Sequence, residues 1–455
     1  MSAIMASPAV RPVAAARSAS RKVQMSAVRS GAAMPKGLGV SPKPFVGSQR
    51  MAQLDSAARR PLKPVNVAVP MNLNLEDPSA REAMAKEYGF DQIGAPVPKE
   101  LTLLDIINSM PKEIFELNEW KAIGRCIISV VSMAASIALI HYVPTWLLPA
   151  AWFVAGTAFT GFFVIGHDCA HRSFSNNNLW EDIVGHIFFA PLAYPYEPWR
   201  IKHNKHHAVT NMLVEDTAWH PVMKEDFDTW PAPVKFIMKH ILGSPLKCFA
   251  SIGHWMMFHF DLRLFKKAQY PRVLISLAVT FAWLGGVVPA LVHYLGAWGM
   301  VKYWLMPWVF FHFWMSTFTV IHHTAPHIPF RGKADWDSAE AQLGGTVHCE
   351  FPAWVEWLCH DISVHIPHHV SQRIPSYNLR AAHNFLVDKY GQYMNICHWN
   401  FKLMKYIFTE LHIYDEEKNY VPFDSDMQAE KQKQDIFLSI ERKVLPGGPI
   451  AEYNA

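Results

Sequence analysis

Residues 126–166 read CIISVVSMAASIALIHYVPTWLLPAAWFVAGTAFTGFFVIG, and HDCAH follows at once at residues 167–171. The 41 residues before the first histidine of HDCAH contain no Asp, Glu, Lys or Arg. As a helix rising ~1.5 Å per residue they would extend about 60 Å, which is two crossings of a ~30 Å hydrocarbon core. Pro144 and Pro149 mark the turn between the two crossings. The stretch therefore predicts a membrane hairpin that ends in a cluster of histidines.

A second apolar stretch, residues 273–321, has Lys302 as its only charged residue. It is long enough for two more crossings, with a turn near residues 294–299. Two shorter apolar runs, residues 183–196 and 249–260, fall below the ~17 residues that a span needs. We expect these short runs to lie in the membrane interface or to enter the membrane only partway. The transmembrane helices are expected at about residues 124–143, 146–166, 273–293 and 301–321.

Histidines recur in three clusters, which we call boxes one, two and three: HDCAH at 167–171, HNKHH at 203–207 and HIPHH at 365–369. Residues three and four apart share a helix face, so the histidines of each box are expected to point the same way. A single buried histidine is usually an ordinary packed side chain, but three gatherings of polar rings without a common partner would be costly to bury. Imidazole is also the commonest metal-binding side chain. The boxes therefore predict a metal site with the ligands His167, His171, His203, His206, His207, His365, His368 and His369.

The donor set limits the kind of metal site. Eight or more ligands exceed the three or four that one zinc ion takes, so two ions are expected. Imidazole suits zinc, copper, iron and nickel alike, and the residues alone do not choose among them. The sequence has neither the HExxH motif of zinc peptidases nor the Glu-x-x-His pairs of soluble di-iron carboxylate bundles. At the end of the fourth apolar segment, His323 is expected as an added ligand, with His322 and His327 as alternatives. The plain interpretation of these histidines is that their side chains extend to the membrane interface.

The order of the boxes along the chain tests the metal hypothesis. Boxes one and two follow the second apolar segment and box three follows the fourth, so an even number of crossings separates them. All three boxes are then on one face of the membrane. Lysines and arginines are frequent between residues 172 and 267 on this face, whereas the opposite turns carry little more than Lys302. We predict an all-α membrane protein with two helical hairpins, interfacial helices and a helical cap that holds the two-metal site.

These features resemble a known family. The boxes, the two hairpins and the strings GHDCAHRSF, YPYEPWRIKHNKHH and HDISVHIPHHVSQRIPSYNLRAA are similar to those of the membrane fatty acyl desaturases, over roughly residues 90–415. Related hydroxylases share the box patterns, so the longer strings favour the desaturases, and the endings of boxes one and three fit the omega-6 (delta-12) type. The resemblance implies two iron ions held by the histidines, activation of O2, and a second cis double bond in monounsaturated 18-carbon and 16-carbon acyl chains of membrane glycerolipids.

The implied reaction needs two electrons from a donor. The six cysteines form no CxxC pair, and no His-Pro-Gly-Gly haem motif occurs, so the donor is expected to be a separate protein. Residues 1–54 contain eight Lys and Arg and no acidic residue, the composition of an organelle transit peptide, with a disordered basic tail as the alternative. Composition does not separate plastid from mitochondrion, and the resemblance favours the plastid. There the donor would be reduced ferredoxin, an acidic protein that basic residues near the boxes would attract.

The sequence divides into four expected segments: a plastid transit peptide at 1–60, an N-terminal stromal segment at 61–120, the membrane desaturase domain at 121–415 and a polar tail at 416–455. The location implied is a plastid membrane, either inner envelope or thylakoid, with the boxes facing the stroma. The sequence is compatible with a homodimer and does not decide the oligomeric state. The net charge of +4 comes partly from the transit peptide and gives no indication of a nucleic-acid partner.

Two other functions compete with the desaturase hypothesis. A hydroxylase or another di-iron lipid oxygenase would use the same scaffold. A membrane metal transporter is less compatible, because transporters place their ligands near the bilayer midplane whereas the boxes lie outside the apolar runs. Metal-bound imidazoles usually donate their second N–H to a carboxylate or carbonyl, so Asp168, Asp216 and Asp361 are expected as orienting residues, with solvated surface acids as the alternative interpretation.

Overall fold

The computed structural model describes residues 74–415 and 419–423. The predicted transit peptide and most of the predicted polar tail lie outside the described residues, so both assignments stay predictions. The described chain is mostly helical, and three of its helical stretches are apolar and long enough to cross a membrane.

The α-helices, numbered in chain order, are α1 Pro78–Tyr88, α2 Leu103–Ser109, α3 Glu119–Tyr142, α4 Leu148–Ala170, α5 Asn178–Phe189, α6 Tyr196–Ala208, α7 Lys224–Thr229, α8 Ala232–Leu242, α9 Ser251–Phe258, α10 Tyr270–Met300, α11 Met306–His323, α12 Ala353–Leu358, α13 His365–Val370, α14 Leu379–Tyr390 and α15 Phe401–Thr409. Single π-helical turns occur at Val301–Leu305 and Glu340–Gly344. The strands are β1 Val222–Met223, β2 Val347–Glu350, β3 Asn395–His398, β4 Ile413–Asp415 and β5 Asn419–Val421.

The first apolar hairpin consists of α3 and α4. Asn118 caps α3 by accepting a hydrogen bond from the backbone N–H of Lys121 (3.1 Å), and Pro144 begins the turn that leads to α4. Apolar side chains on the outer face of α3 are exposed, with Val131 at 60%. In contrast, α4 is buried along most of its length. An exposed apolar face on a long helix indicates contact with lipid, so α3 lies at the periphery and α4 at the centre.

The second apolar region is one helical stretch of 57 residues from Lys267 to His323, which contains α10, the π-turn after it and α11. Gly296 interrupts this stretch with φ 71° and ψ 170°. Glycine adopts such a conformation readily because it has no Cβ. The third and fourth segments expected from the sequence lie on either side of this break.

Helices α4 and α11 pack side by side in the same direction. Near the start of α4, Trp152 donates its Nε1–H to the carbonyl oxygen of Lys302, which lies just before α11 (2.8 Å). Further along, Trp314 of α11 donates its Nε1–H to Oγ1 of Thr157 in α4 (2.8 Å), and a Cβ on Gly156 would lie 2.6 Å from the carbonyl carbon of Phe310. Two parallel helices that begin together also end together, so the C-terminal ends of α4 and α11 are brought to the same end of the molecule.

The two short apolar runs form helices that do not span. Helix α5 has 12 residues and α9 has 8. The chain after α5 lies against the first half of α11, because Trp308 donates its Nε1–H to the carbonyl oxygen of Leu192 (2.7 Å). At the start of α9, the N–H of Ser251 donates to Oγ of Ser316 in α11 (2.9 Å). Both runs therefore pack partway along the long helices, and their position in the membrane stays a prediction.

Short strands depart from the all-α expectation. Strand β2 pairs in parallel with β3, and β4 pairs in parallel with β1 and antiparallel with β5. Strand β5 belongs to the segment that the sequence assigned to the polar tail, so the folded part of the chain continues past residue 415. These pairings hold the C-terminal segment against the part of the chain that carries the boxes.

Candidate metal centre

The predicted ligands occupy four helix segments. Box one forms the last turn of α4, box two lies on α6, box three begins α13, and His323 is the last residue of α11. Because α4 and α11 end together, the box-one histidines and His323 start from the same level. Eight of the nine predicted ligands are buried, and His203 is nearly so.

Eight of these histidines form two groups. The five-histidine group consists of His167, His171, His203, His207 and His368, and the three-histidine group consists of His206, His323 and His369. Within each group, one nitrogen per residue lies within 4.8 Å of the chosen nitrogens of all the others. Side chains from distant parts of the chain thus converge on two points.

The ring nitrogens face one another at short range. In the five-histidine group, Nε2 of His207 lies 3.1 Å from Nε2 of His203 and 3.0 Å from Nε2 of His368. In the three-histidine group, Nε2 of His206 lies 3.2 Å from Nε2 of His323. The groups are adjacent, since the ring centroids of His207 and His369 are 4.2 Å apart.

Neighbouring histidines in a box belong to different groups. His206 and His207 are divided in this way, and so are His368 and His369. With 3.6 residues per helical turn, successive side chains are rotated by about 100°. The expectation that the histidines of each box point the same way is therefore wrong for His206 in box two and for His368 in box three. The division allows a single HxxHH box to supply ligands to two ions.

The donor set fits metal ions. Nδ1 of His369 is hydrogen-bonded to Gln342, and its Nε2 is buried without a hydrogen-bond partner. An unpaired buried polar atom costs about 1–3 kcal/mol, and a metal ion would supply the partner. Burial, reinforced by the neighbouring imidazoles, lowers the pKa of His171, His207 and His369 well below the usual value. At neutral pH these rings are uncharged, which is the form that coordinates metals.

Three further histidines flank the groups. His365, a predicted ligand, lies outside both groups, but its Nε2 is 3.0 Å from Nε2 of His323. His322 stacks on His365 with ring centroids 4.1 Å apart, and its Nε2 has no partner. The Nε2 of His327 donates to Oδ1 of Asn395 instead (3.0 Å). Among the candidates after the fourth apolar segment, the structure places His323 in a group and the other two outside.

Outer hydrogen bonds orient the three-histidine group. Nδ1 of His206 donates to Oδ1 of Asp216 (2.7 Å), and Asp216 also accepts from the backbone N–H of Asn211 (2.8 Å). Nδ1 of His369 donates to Oε1 of Gln342 (2.7 Å). Each bond places the ring hydrogen on Nδ1 and leaves Nε2 as the metal-binding atom.

The other two acids expected to orient ligands behave differently. Oδ1 of Asp168 lies 3.5 Å from Nδ1 of His167, at the limit of a hydrogen bond. The assignment of Asp361 was wrong, because its carboxylate pairs with Arg125 (3.0 Å) and Arg380 (2.7 Å) and contacts no ligand. Asp361 instead ties the turn before box three to α3.

Sequence reasoning missed two residues that support the site. Trp199 stacks on His203 with ring centroids 4.3 Å apart. It precedes His203 by four residues on α6, so the helical spacing was a usable signal. Gln342, which orients His369, lies in a π-turn far from any box, and nothing in its local sequence marks it.

An apolar cavity of about 170 Å³ lies beside the two groups. Ligand histidines form one wall of the cavity, among them His167, His203, His206 and His323. Much of the remaining lining is apolar and includes Phe163, Val164, Met315, Phe318, Val320 and Ile362. A long apolar ligand in this cavity would lie directly against the metal-binding nitrogens.

Comparisons with known proteins all indicate the same family. The family model described as fatty acid desaturase matches residues 144–400. The chain is 54% identical over 383 residues to a chloroplastic omega-6 fatty acid desaturase of Brassica napus, which covers 84% of each protein. A protein of the same name from Arabidopsis thaliana is 54% identical over 381 residues, covering 84% of this chain and 83% of that protein. The sn-1 oleoyl-lipid 12-desaturase of Anabaena variabilis is 47% identical over 325 residues, covering 71% of this chain and 93% of that protein.

Proposed function

Because this chain belongs to the fatty acid desaturase family, we propose that its histidine groups and the adjoining cavity insert a second cis double bond, at the omega-6 (delta-12) position, into lipid-linked oleoyl chains. The chain is an oxidoreductase. One observation carries the proposal: the wall of the apolar cavity is built from the same histidines whose nitrogens converge. An acyl chain held in this cavity would lie against the metal-binding histidines.

We assign one iron ion to the five-histidine group and a second to the three-histidine group, with His365 as an additional ligand of the second. Bound iron would supply the O2-dependent oxidising chemistry that no amino-acid side chain has. The chain's own residues set the geometry: the Asp216 carboxylate fixes the ring of His206, and Gln342 fixes that of His369. The apolar lining, such as Phe163 and Phe318, aligns the acyl chain and excludes water.

Electrons and protons must also be accounted for. The acyl chain gives up two hydrogens, and O2 becomes two waters when two further electrons and two protons are added. We assign the electrons to reduced ferredoxin, because the sequence carries no haem or iron–sulfur motif of its own. Monounsaturated 16-carbon chains are included as substrates on the same grounds as oleoyl chains, since the cavity recognises an apolar chain.

For the membrane topology we propose four crossings. The helical stretch Lys267–His323 has 57 residues, about 86 Å at ~1.5 Å per residue, and this length is far more than one ~30 Å crossing requires. The break at Gly296 divides it into two segments, each long enough to span. The parallel packing of α4 and α11 supports this arrangement, because both helices then end at the face that bears the histidines.

We place the protein in a plastid membrane with the boxes facing the stroma. Residues 1–60 would be the transit peptide, and the relatives from Brassica napus and Arabidopsis thaliana are themselves named chloroplastic. Lysines and arginines concentrate on the box side of the sequence, as expected for the side of a membrane that is not translocated.

The test is expression of the chain without residues 1–60 in a host that makes oleoyl lipids, together with a plastid-type ferredoxin and its reductase. Gas chromatography with mass spectrometry of the lipid acyl chains should reveal a diene with its new cis bond at carbon 12. A parallel culture without ferredoxin should make much less diene. A hydroxylated chain in place of the diene would favour the oxygenase alternative, and metal uptake without any lipid change would favour the transporter.

A further inference from the structure

Lys247 is a buried cation outside the histidine groups. It lies in the 3-10 turn Pro245–Phe249 and is 1% exposed. No carboxylate lies within ion-pair distance of its Nζ in the part of the chain that the structure describes, residues 74–415 and 419–423. Burying a charge without a counter-ion costs several kcal/mol, so the groups that surround it must offset that cost.

Acceptors from the C-terminal segment surround the ammonium group. Nζ donates to the carbonyl oxygens of Ile407 and Leu411, each at 3.0 Å, and lies 3.5 Å from Nδ1 of His412. Nε2 of His412 donates to the carbonyl oxygen of Phe408 (2.9 Å), so its Nδ1 carries a lone pair. Ile407 lies in the last turn of α15, where carbonyl groups lack partners and the helix dipole favours a cation. Burial lowers the pKa of Lys247 to about 7, and the carbonyl oxygens that accept hydrogen bonds from the ammonium favour its charged form.

The same ammonium lies over the cavity wall. Its Nζ is 4.4 Å from the centroid of the Trp219 ring, and Trp219 lines the cavity. The turn that contains Lys247 continues directly into Ala250 and Ser251, which also line the cavity. Lys247 thus joins two pieces of the wall to a C-terminal helix whose own residues do not reach the cavity.

We propose that Lys247 is a positioning residue that holds Trp219 in the cavity wall and thereby sets which acyl chain lengths the enzyme accepts. The ammonium group attracts the ring face of Trp219, while the carbonyls of Ile407 and Leu411 fix the ammonium. This inference rests on the proposed function, because it concerns the selectivity of that same cavity. It adds a residue that contacts neither the acyl chain nor the metal ligands.

The test compares Lys247→Met with wild type in cells that contain 16-carbon and 18-carbon monounsaturated lipids. Methionine keeps the apolar stem but has no charge, so Trp219 loses its fixed partner. The ratio of 18-carbon to 16-carbon dienes should change by roughly threefold or more, since apolar pockets discriminate chain length by close fit. Lys235→Met is the matched control: its Nζ lies 5.0 Å from the ring of Phe227, and neither residue lines the cavity. Its diene ratio should equal that of wild type.

A second variant covers the case in which Lys247→Met does not accumulate. His412→Leu removes one acceptor of the ammonium and leaves Trp219 unchanged, and it should shift the ratio in the same direction by a smaller factor. In the double variant Lys247→Met, Trp219→Leu, the ratio should match that of Trp219→Leu alone, because Lys247 acts only through that ring. A purely structural Lys247 would lower the amount of folded protein with an unchanged diene ratio in every variant, and that result overturns the inference. If wild type itself makes no diene, the proposed function fails instead.

Discussion

The two histidine groups are built differently although they are adjacent. In the three-histidine group, two of the ligands donate short hydrogen bonds to polar side chains, Asp216 and Gln342. In the five-histidine group the corresponding contact is the 3.5 Å approach of Asp168 to His167, and the rings are otherwise held by one another and by Trp199. One group has few ligands that are firmly oriented, and the other has many ligands that are held by packing.

This difference predicts how each group tolerates the loss of a ligand or of an outer hydrogen bond. With His365 as its added ligand, the second ion keeps three nitrogens when one is lost, the smallest number of protein ligands that metal sites typically keep. A group of five that loses one keeps four. Outer-shell changes should also matter more in the three-histidine group, because that group depends on its hydrogen bonds.

The largest effect is expected from removing one ligand of each group. His368→Ala and His369→Ala change adjacent residues that serve different groups. Both should bring diene formation below detection, because the oxidising chemistry needs both ions. Iron analysis of the purified proteins should separate them: His369→Ala leaves the second ion with three histidines and should retain less iron per chain than His368→Ala, which leaves the first ion with four.

His141→Ala provides the control for these variants. His141 is exposed, bonds to Tyr303 and lies far along the chain from any box. The His141→Ala protein should insert into the membrane, bind iron and form diene like wild type. A His369→Ala protein that still holds two ions and makes diene would remove the distinction between the groups.

A second effect concerns acid, and the five-histidine group should contribute to it with more titrating rings than the three-histidine group. Burial lowers the pKa of His171, His203, His207 and His368 well below the usual value. Below pH 6.5 the unfolded chain binds protons at these residues and the folded chain does not. The free energy of unfolding should therefore fall as pH drops, by up to about 1.4 kcal/mol per pH unit for each such histidine.

Metal-free protein in detergent is suited to this measurement, because bound ions would compete with protons. The unfolding temperature should be nearly constant from pH 8 to 7 and then decline steeply between pH 6.5 and 5.5. His171→Phe, which removes one titrating ring and keeps the site filled, should make the decline shallower. An unfolding temperature that does not depend on pH across this range would contradict the buried, neutral state of the group.

Much of this arrangement was predictable from the sequence, for local reasons. The 41-residue charge-free stretch and the histidines directly after it place box one at the end of an apolar helix. The spacing of His203 and His207 by four residues puts them on one helix face, and both belong to the five-histidine group. Such inferences require only the helical period and the length of an apolar run.

Other features depend on contacts between distant segments and could not be predicted in this way. The sorting of His206 and His207 into different groups depends on where α11 and α13 lie around α6. The parallel pairing of β2 with β3 joins residues 347–350 to residues 395–398, and no short-range pattern signals it. Asp361 was misassigned for the same reason, since the proximity of Arg125 and Arg380 is a tertiary contact.

The smallest of the expected effects tests the outer hydrogen bonds. Asp216→Asn keeps the size of the side chain and weakens its bond to Nδ1 of His206, so the second ion should bind about 10 to 100 times more weakly. Metal titration of the apo protein would show this as one weakened site and one unchanged site. Diene formation should recover when excess iron is supplied, because the ligand itself is intact.

Asp361→Asn is the matched comparison for Asp216→Asn. Asp361 is also a largely buried, paired carboxylate, but its partners are arginines that hold the turn before box three. The change should lower the unfolding temperature while leaving the metal affinity of both groups close to that of wild type. If Asp216→Asn and Asp361→Asn weakened metal binding equally, the hydrogen bond to His206 would have no special role, and the contrast between an oriented and a packed group would reduce to general stability.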